Sequence, residues 1–230
     1  MTLDPRERVR RGGLRGTELL AWLAGHPPGA RDAAIERLFG IAQPPATPAV
    51  LGESRMPYMP SAIAPVVRAV LEVPVTSGDV FVDLGAGLGK VAMAVHLLTG
   101  ARARGVELQP QLVEAASEQA AALDLAGVSF VESDALDADL EDATVVFLYL
   151  PFTGDVLAGV LQRLEAVARR RQLVLCTLGL DLRGADWFIE RPGDEFWLSI
   201  YDTCIPGAEP RPASPPPPFT ALGEAIAGER

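Results

Sequence analysis

The sequence predicts an α/β fold: a mostly parallel sheet covered on both faces, closed by a C-terminal antiparallel hairpin and preceded by an N-terminal helical cap. Two observations carry this. From Ser61 onward, short apolar runs alternate with segments whose apolar residues recur at helical spacing, the cadence of strand, helix, strand that builds a parallel sheet. After the fifth such run the cadence breaks. Two strand-like runs follow with only Gly193-Asp194 between them, too little chain for a crossover, so they pair as a hairpin at the end of the sheet.

Taken in order, residues 1–55 hold two short helical patterns, with Leu19, Leu20 and Leu23 on one face of the first and Ile35, Leu38 and Phe39 on one face of the second. Pro27, Pro28 and Gly29, then Pro44, Pro45 and Pro48, punctuate them, because proline ends helices and restricts the residue before it. Arg6, Arg8, Arg10, Arg11 and Arg15 read as a solvated, partly frayed N-terminus. The main domain spans 56–205. In it Ser61 caps a helix carrying Ile63, Val66, Val67 and Val70, followed by the strand DVFVDLG and the helix GKVAMAVHLLTG. RARGVEL is the second strand, Pro110 to Leu123 a helix opened by proline, VSFVES the third strand and TVVFLYL the fourth. The helix DVLAGVLQRLEAVARR and the strand QLVLCTL come next, then the hairpin runs DWFIERP and EFWLSIYDTC, which place Trp187 and Trp197 in the core or hairpin. Residues 206–230 form a proline-rich tail, with a short Ala-rich helix after PPPPF.

Composition narrows the function. The chain has 230 residues, 49% of them hydrophobic and 22% charged, enough to bury a core and too apolar for disorder. Thirty acidic residues against twenty basic ones give a net charge of −10, which disfavours nucleic acid as a partner because that affinity comes chiefly from Lys and Arg on phosphates. Two cysteines and two histidines, His26 and His96, are too few for a zinc site or a Ser-His-Asp set. No apolar run reaches the ~18 residues that suggest a membrane span, and LLAWLAG lacks a cleavage pattern, so the chain reads as soluble and cytoplasmic with no membrane partner.

The chemistry gathers at the ends of the first three strands. FVDLGAGLGK places Gly85, Gly87 and Gly89 between the first strand and its helix, where absence of Cβ lets a ligand approach the backbone. A dinucleotide fingerprint counted from Gly85 would put Gly or Ala at position 90; Lys90 stands there instead, which argues against a nicotinamide oxidoreductase. Asp83 ends the first strand, where a carboxylate repels pyrophosphate and attracts a cationic ammonium or sulfonium ligand. Glu107 ends the second strand and can accept both hydroxyls of a ribose. Asp134, with Asp137 as its competitor, ends the third and can accept from an adenine amino group. Three carboxylates at the carboxyl ends of successive parallel strands lie where open α/β sheets bind ligands, and together they describe a site for a positively charged adenosine.

The run D-L-G-x-G-x-G, then V-E-L-x-P, then S-D-A, resembles the class I S-adenosylmethionine-dependent methyltransferases, over roughly residues 56–205. The resemblance implies a Rossmann-like seven-stranded sheet and S-adenosyl-L-methionine as cofactor. It implies that Asp83, Gly85 and Gly87 contact the methionine part, Glu107 the ribose and Asp134 the adenine, with Tyr58 and its loop closing over them. M-P-Y-M-P-S followed by a helix and F-V-D-L-G-A-G-L-G-K is similar to the non-SET histone-lysine methyltransferases and to the enzymes that methylate lysine in the ATP synthase c subunit. In that fold the last strand inserts beside the fifth, which makes Cys176 and Cys204 candidate neighbours, kept reduced in a cytoplasm.

The fourth strand departs from the pattern. It ends LYLPFTG, and Leu150 stands where amino-methylating members carry an amide before their Pro-Pro-aromatic run. Tyr149 and Phe152 remain as candidate catalytic residues, walling an apolar mouth with Tyr58 and Met59 that would lower the pKa of an amine acceptor. The expected activity is methyl transfer, with a protein lysine as the favoured acceptor. A small-molecule O- or N-acceptor and a noncatalytic binding module are the alternatives, and the oligomeric state is left open.

Overall fold

A computed structural model describes residues 3–41, 58–149, 152–180, 182, 186–192, 198–204 and 220–227. Seven strands form one sheet: β1 (Val80–Leu84), β2 (Arg102–Glu107), β3 (Val128–Glu132), β4 (Val145–Tyr149), β5 (Val174–Leu178), β6 (Phe188–Glu190) and β7 (Leu198–Thr203). Their order is β3-β2-β1-β4-β5-β7-β6, parallel except that β7 runs antiparallel to β5 and to β6. The expected fold class is therefore found, hairpin included. β1 lies inside the sheet between β2 and β4 and is buried at every residue, apolar but for Asp83, as a parallel strand covered on both faces requires.

Helices α1 (Pro5–Arg10), α2 (Thr17–Ala24), α3 (Arg31–Phe39), α4 (Ile63–Glu72), α5 (Lys90–Thr99), α6 (Pro110–Ala122), α7 (Gly154–Ala168) and α8 (Thr220–Ala227), with a single 3-10 turn at Pro28–Ala30 before α3, complete the described elements. One apolar cluster joins Leu19, Leu23 and Phe39 of the N-terminal helices to Val70 of α4, Met93 of α5 and Phe81 of β1. Ile226 of α8 closes the same layer, and Gly223 sits against Leu71 with no room for a Cβ. On the opposite face Val160 and Leu164 of α7 pack with Val82, Leu148 and Tyr201. Trp187, as expected, is a buried hairpin residue, edge-on to Phe188 with ring centroids 4.6 Å apart; Trp197 lies outside the described residues.

Three sequence expectations give way to contacts that local rules do not see. The N-terminal arginines are not frayed. They lie in and after α1, whose Val9 is buried, and spend their charges within the chain: Arg10 and Arg11 on Glu7, Arg8 on Glu18, and Arg6 on the Leu38 carbonyl. Arg15 reaches the buried His96 at 3.3 Å. Because the Nδ1–H of His96 donates to the Ala101 carbonyl, its Nε2 is left as an acceptor, and burial holds the ring below the ordinary histidine pKa. Ser61 does not cap α4. Its first amide, on Ile63, donates instead to Asp32 of α3 at 2.8 Å. Finally, Cys176 and Cys204 are not neighbours. Cys176 faces Ile200 in the β5–β7 register and Cys204 lies four residues further on, about 13 Å away along an extended strand, which keeps the two thiols out of a disulfide with each other.

Candidate functional site

The strand order places the site. From β1 the chain winds outward through β2 and β3, then crosses back to lay β4 on β1's other side, so the carboxyl ends of β1 and β4 form the crevice where the winding reverses. The glycine turn follows β1 at that point. Amides of Gly85 and Ala86 donate to the Val106 carbonyl at 2.9 and 3.0 Å, stitching the turn to β2. Gly87 has φ +54°, and a Cβ there would stand 2.4 Å from Cε2 of Tyr58; Gly89 has φ +78°, and its Cβ would stand 2.3 Å from the Phe130 ring. Both positions combine a left-handed backbone with a neighbour already in contact, so only glycine fits.

Glu107 is 8% exposed and holds the turn from beneath: its carboxylate accepts from Gly87 N–H at 2.9 Å and from Gln109 N–H at 3.0 Å. Asp83 is 3% exposed, and its Oδ2 is buried with no hydrogen-bond partner. Burial first, and then the charge of Glu107, push its carboxyl up to about 8. An orphaned acidic oxygen beneath an open glycine turn is unfavourable unless something donates to it, since buried polar groups are ordinarily paired. Tyr58 lies across this floor, its phenol pushed up to about 12 by burial and by the charges of Glu36 and Glu107.

Tyr58, Asp83, Gly85, Gly87 and Glu107 are thus brought into one place. Asp134 follows β3, whose Glu132 faces Glu107 in the register; its Oδ1 accepts from Leu136 N–H at 3.0 Å, and it is half-buried while its competitor Asp137 is exposed. The remaining pair divides. Tyr149 ends β4, half-buried against the cluster of the N-terminal helices, whereas Phe152 is buried in the cluster on the opposite face. Leu150 and Pro151 lie outside the described residues. Among the described residues no group of His, Cys, Asp and Glu could hold a metal ion, and no helix is long and apolar enough to cross a membrane.

In the sequence Lys90 stands out only as a mismatch to a dinucleotide fingerprint. In the structure it is buried, and its Nζ donates to Asp32 at 3.0 Å and Glu36 at 2.8 Å, both on α3. The available signal was compositional: it is the one lysine among twenty basic residues.

Residues 81–171, which run from β1 through the glycine turn and all three acidic strand ends to just past α7, match the family model described as a methyltransferase domain. The chain carries a class I S-adenosylmethionine-dependent methyltransferase domain. S-adenosylmethionine is its cofactor, and the residues present fit it: a buried carboxyl with one unpartnered oxygen for a cationic group, and a fixed carboxylate beside it. Solved methyltransferases are similar to it. An RNA methyltransferase from Salinibacter ruber, bound to S-adenosyl-L-homocysteine, is 29% identical with a TM-score of 0.48, over 68% of this chain and 100% of that one. Geranyl diphosphate C-methyltransferase from Streptomyces coelicolor is 21% identical with a TM-score of 0.42, over 50% of this chain and 44% of that one. Mitomycin 7-O-methyltransferase is 17% identical with a TM-score of 0.47, over 61% and 52% respectively. A search of curated protein sequences gave no match.

Proposed function

We propose that the protein transfers the methyl group of S-adenosylmethionine to an amine, a lysine side chain of an acceptor protein. The observation that carries the cofactor half is the buried, unpartnered Asp83 oxygen beneath the glycine turn, beside Glu107. Asp83 takes the ammonium of the methionine part, the exposed backbone at Gly85 lets that part approach beside Gly87, Glu107 accepts from the ribose hydroxyls and Asp134 from the adenine amino group. Glu107 enters this role already aligned, because two backbone amides fix its carboxylate.

When bound, S-adenosylmethionine supplies a methyl that an amine lone pair displaces from sulfur, the carbon–sulfur electron pair remaining on the sulfur. No general base is required of the chain, since in-line alignment alone supplies ~7 to 11 kcal/mol in favourable cases. What the chain must do is exclude water and deliver a neutral nitrogen. Tyr58 and Tyr149, each half-buried, and the exposed Met59 supply aromatic and thioether surface at the mouth, where an ammonium is disfavoured and its pKa falls. The net charge of −10 favours approach of a basic acceptor over a polyanion.

Incubation of the protein with methyl-labelled S-adenosylmethionine and a cell lysate, followed by separation of protein, RNA and metabolite fractions, tests this. Label in protein that hydrolyses to methyllysine is expected. Label confined to RNA, or to a small molecule as an acid- and base-stable ether methyl, would overturn the lysine acceptor while leaving the methyltransferase activity in place.

A further inference from the structure

In a chain that uses arginine nineteen times, the one lysine is buried at the edge of the cofactor site. Lys90 directly follows Gly89 and is the first residue of α5, so it is also the point where the glycine turn is fixed to the helix after it. Its ammonium meets one oxygen each of Asp32 and Glu36, at 3.0 and 2.8 Å. A compact point charge suits two single oxygens converging on one spot, where a planar guanidinium with its fork of donors does not.

Asp32 has a second task. The same Oδ1 that accepts from Lys90 accepts from the amide of Ile63, the first residue of α4, at 2.8 Å. Five residues before Ile63 stands Tyr58, whose ring rests on Gly87. One carboxylate on the N-terminal helix α3 therefore touches the chain on both sides of the cofactor floor: the end of the glycine turn through Lys90, and the segment that leads from Tyr58 through Ile63. Glu36, the other partner of Lys90, is close enough for its charge to act on the Tyr58 phenol.

We propose that Asp32, Glu36 and Lys90 form a positioning cluster, through which α3 sets the pose of the glycine turn and of Tyr58 and thereby the affinity for the cofactor. This rests on the cofactor site described above. The three residues do not touch the reacting atoms; they act through Gly87 and Tyr58. The N-terminal helices are by this reading part of the cofactor site's construction.

The asymmetry of burial chooses the variant. Asp32 and Glu36 are 43% and 30% exposed at their side chains and can be hydrated when their partner is lost, whereas Lys90, at 5%, cannot. Lys90→Met in the full chain is therefore the variant that keeps the fold, and Glu36→Gln, which preserves the Asp32 contacts with Lys90 and Ile63, is the milder second. Two readouts are taken at a temperature where every variant is folded: the Kd for S-adenosylmethionine by calorimetry, and amide hydrogen exchange in the ligand-free protein. Lys90→Met is expected to raise the Kd about tenfold and to speed exchange at Gly87, Gly89 and Ile63 while the amides of β5 and β7 stay unchanged; Glu36→Gln is expected to move both readouts in the same direction by less. A lowered melting temperature with an unchanged Kd and uniformly faster exchange would overturn the proposal and leave a purely structural ion pair. Failure of the unsubstituted protein to bind S-adenosylmethionine would overturn the cofactor reading, and the exchange comparison would still decide whether α3 positions the turn.

Discussion

The ring of Tyr58 lies against the α-carbon of Gly87, so closely that a Cβ on that glycine would stand 2.4 Å from Tyr58 Cε2. The same glycine donates its amide to Glu107, so the aromatic residue above the turn and the carboxylate below it are held by one residue. A change at Gly87 therefore moves both.

Gly87→Ala asks an L-residue to keep φ +54° and pushes its methyl into the Tyr58 ring. The left-handed backbone alone costs about 1–2 kcal/mol, and relief requires either the ring or the turn to shift. A lower melting temperature and a cofactor affinity reduced by about tenfold or more are expected, tenfold being ~1.4 kcal/mol. Thermal melts and calorimetry measure the two, and a fully retained affinity would show that Tyr58 and the turn are not coupled.

Glu107→Ala removes the acceptor of two backbone amides, Gly87 and Gln109, as well as the contact assigned to the ribose. Hydrogen bonds to a charged group are worth about 1.5–3 kcal/mol each. The loss should accordingly appear twice, as a destabilised ligand-free protein and as at least tenfold weaker S-adenosylmethionine binding. A normal dissociation constant in this variant would move the ribose contact elsewhere.

Asp83 makes the site sensitive to pH. Its carboxyl stands at about 8 in the folded chain against an ordinary 3.8, so between those values the folded state holds a proton that the unfolded state has released. Its contribution to stability is therefore full below about pH 4 and is lost as pH rises towards 8. A cationic ammonium binds the ionised form, so binding should release a proton, with affinity climbing up to about pH 8 and levelling above it. Calorimetry in buffers of different ionisation enthalpy near neutrality should detect that proton, and Asp83→Asn should abolish it. Proton-neutral binding and an affinity flat with pH would place the ammonium on another group.

Cys176 is buried and Cys204 half-buried, four residues out of register with each other. A thiol reagent should label Cys204 first under native conditions and both thiols after denaturation, with an intact mass showing no loss of two hydrogens. Loss of two hydrogens in fresh protein would require the β5–β7 register to be different.

How much of this was legible in the sequence depended on the distance over which each contact acts. The glycine turn, the parallel strands and the antiparallel hairpin are local: period, turn residues and strand-end acids announce them within a dozen residues, and β1, β2 and β3 lie where their apolar runs placed them. The cluster of Lys90 with Asp32 spans 58 residues of sequence and left only the trace of a lone lysine. Ser61 obeyed the local rule for a helix cap and was displaced by a carboxylate from α3. The thiols read as neighbours from strand adjacency, which the sequence indicates, whereas register, which it does not indicate, decides their distance. Tyr149 and Phe152 read as one wall because they are close in the chain, but three residues at the end of a strand are enough to carry them to opposite faces.

The central claim is that the glycine turn, Asp83 and Glu107 form a site for S-adenosylmethionine, and thermal unfolding of the purified protein with S-adenosylmethionine, S-adenosylhomocysteine or NAD tests it most directly. At ~100 times its dissociation constant a ligand adds ~2.7 kcal/mol, so both sulfur compounds should raise the melting temperature and NAD should not. Equal stabilisation by NAD, or none by either sulfur compound, would contradict it.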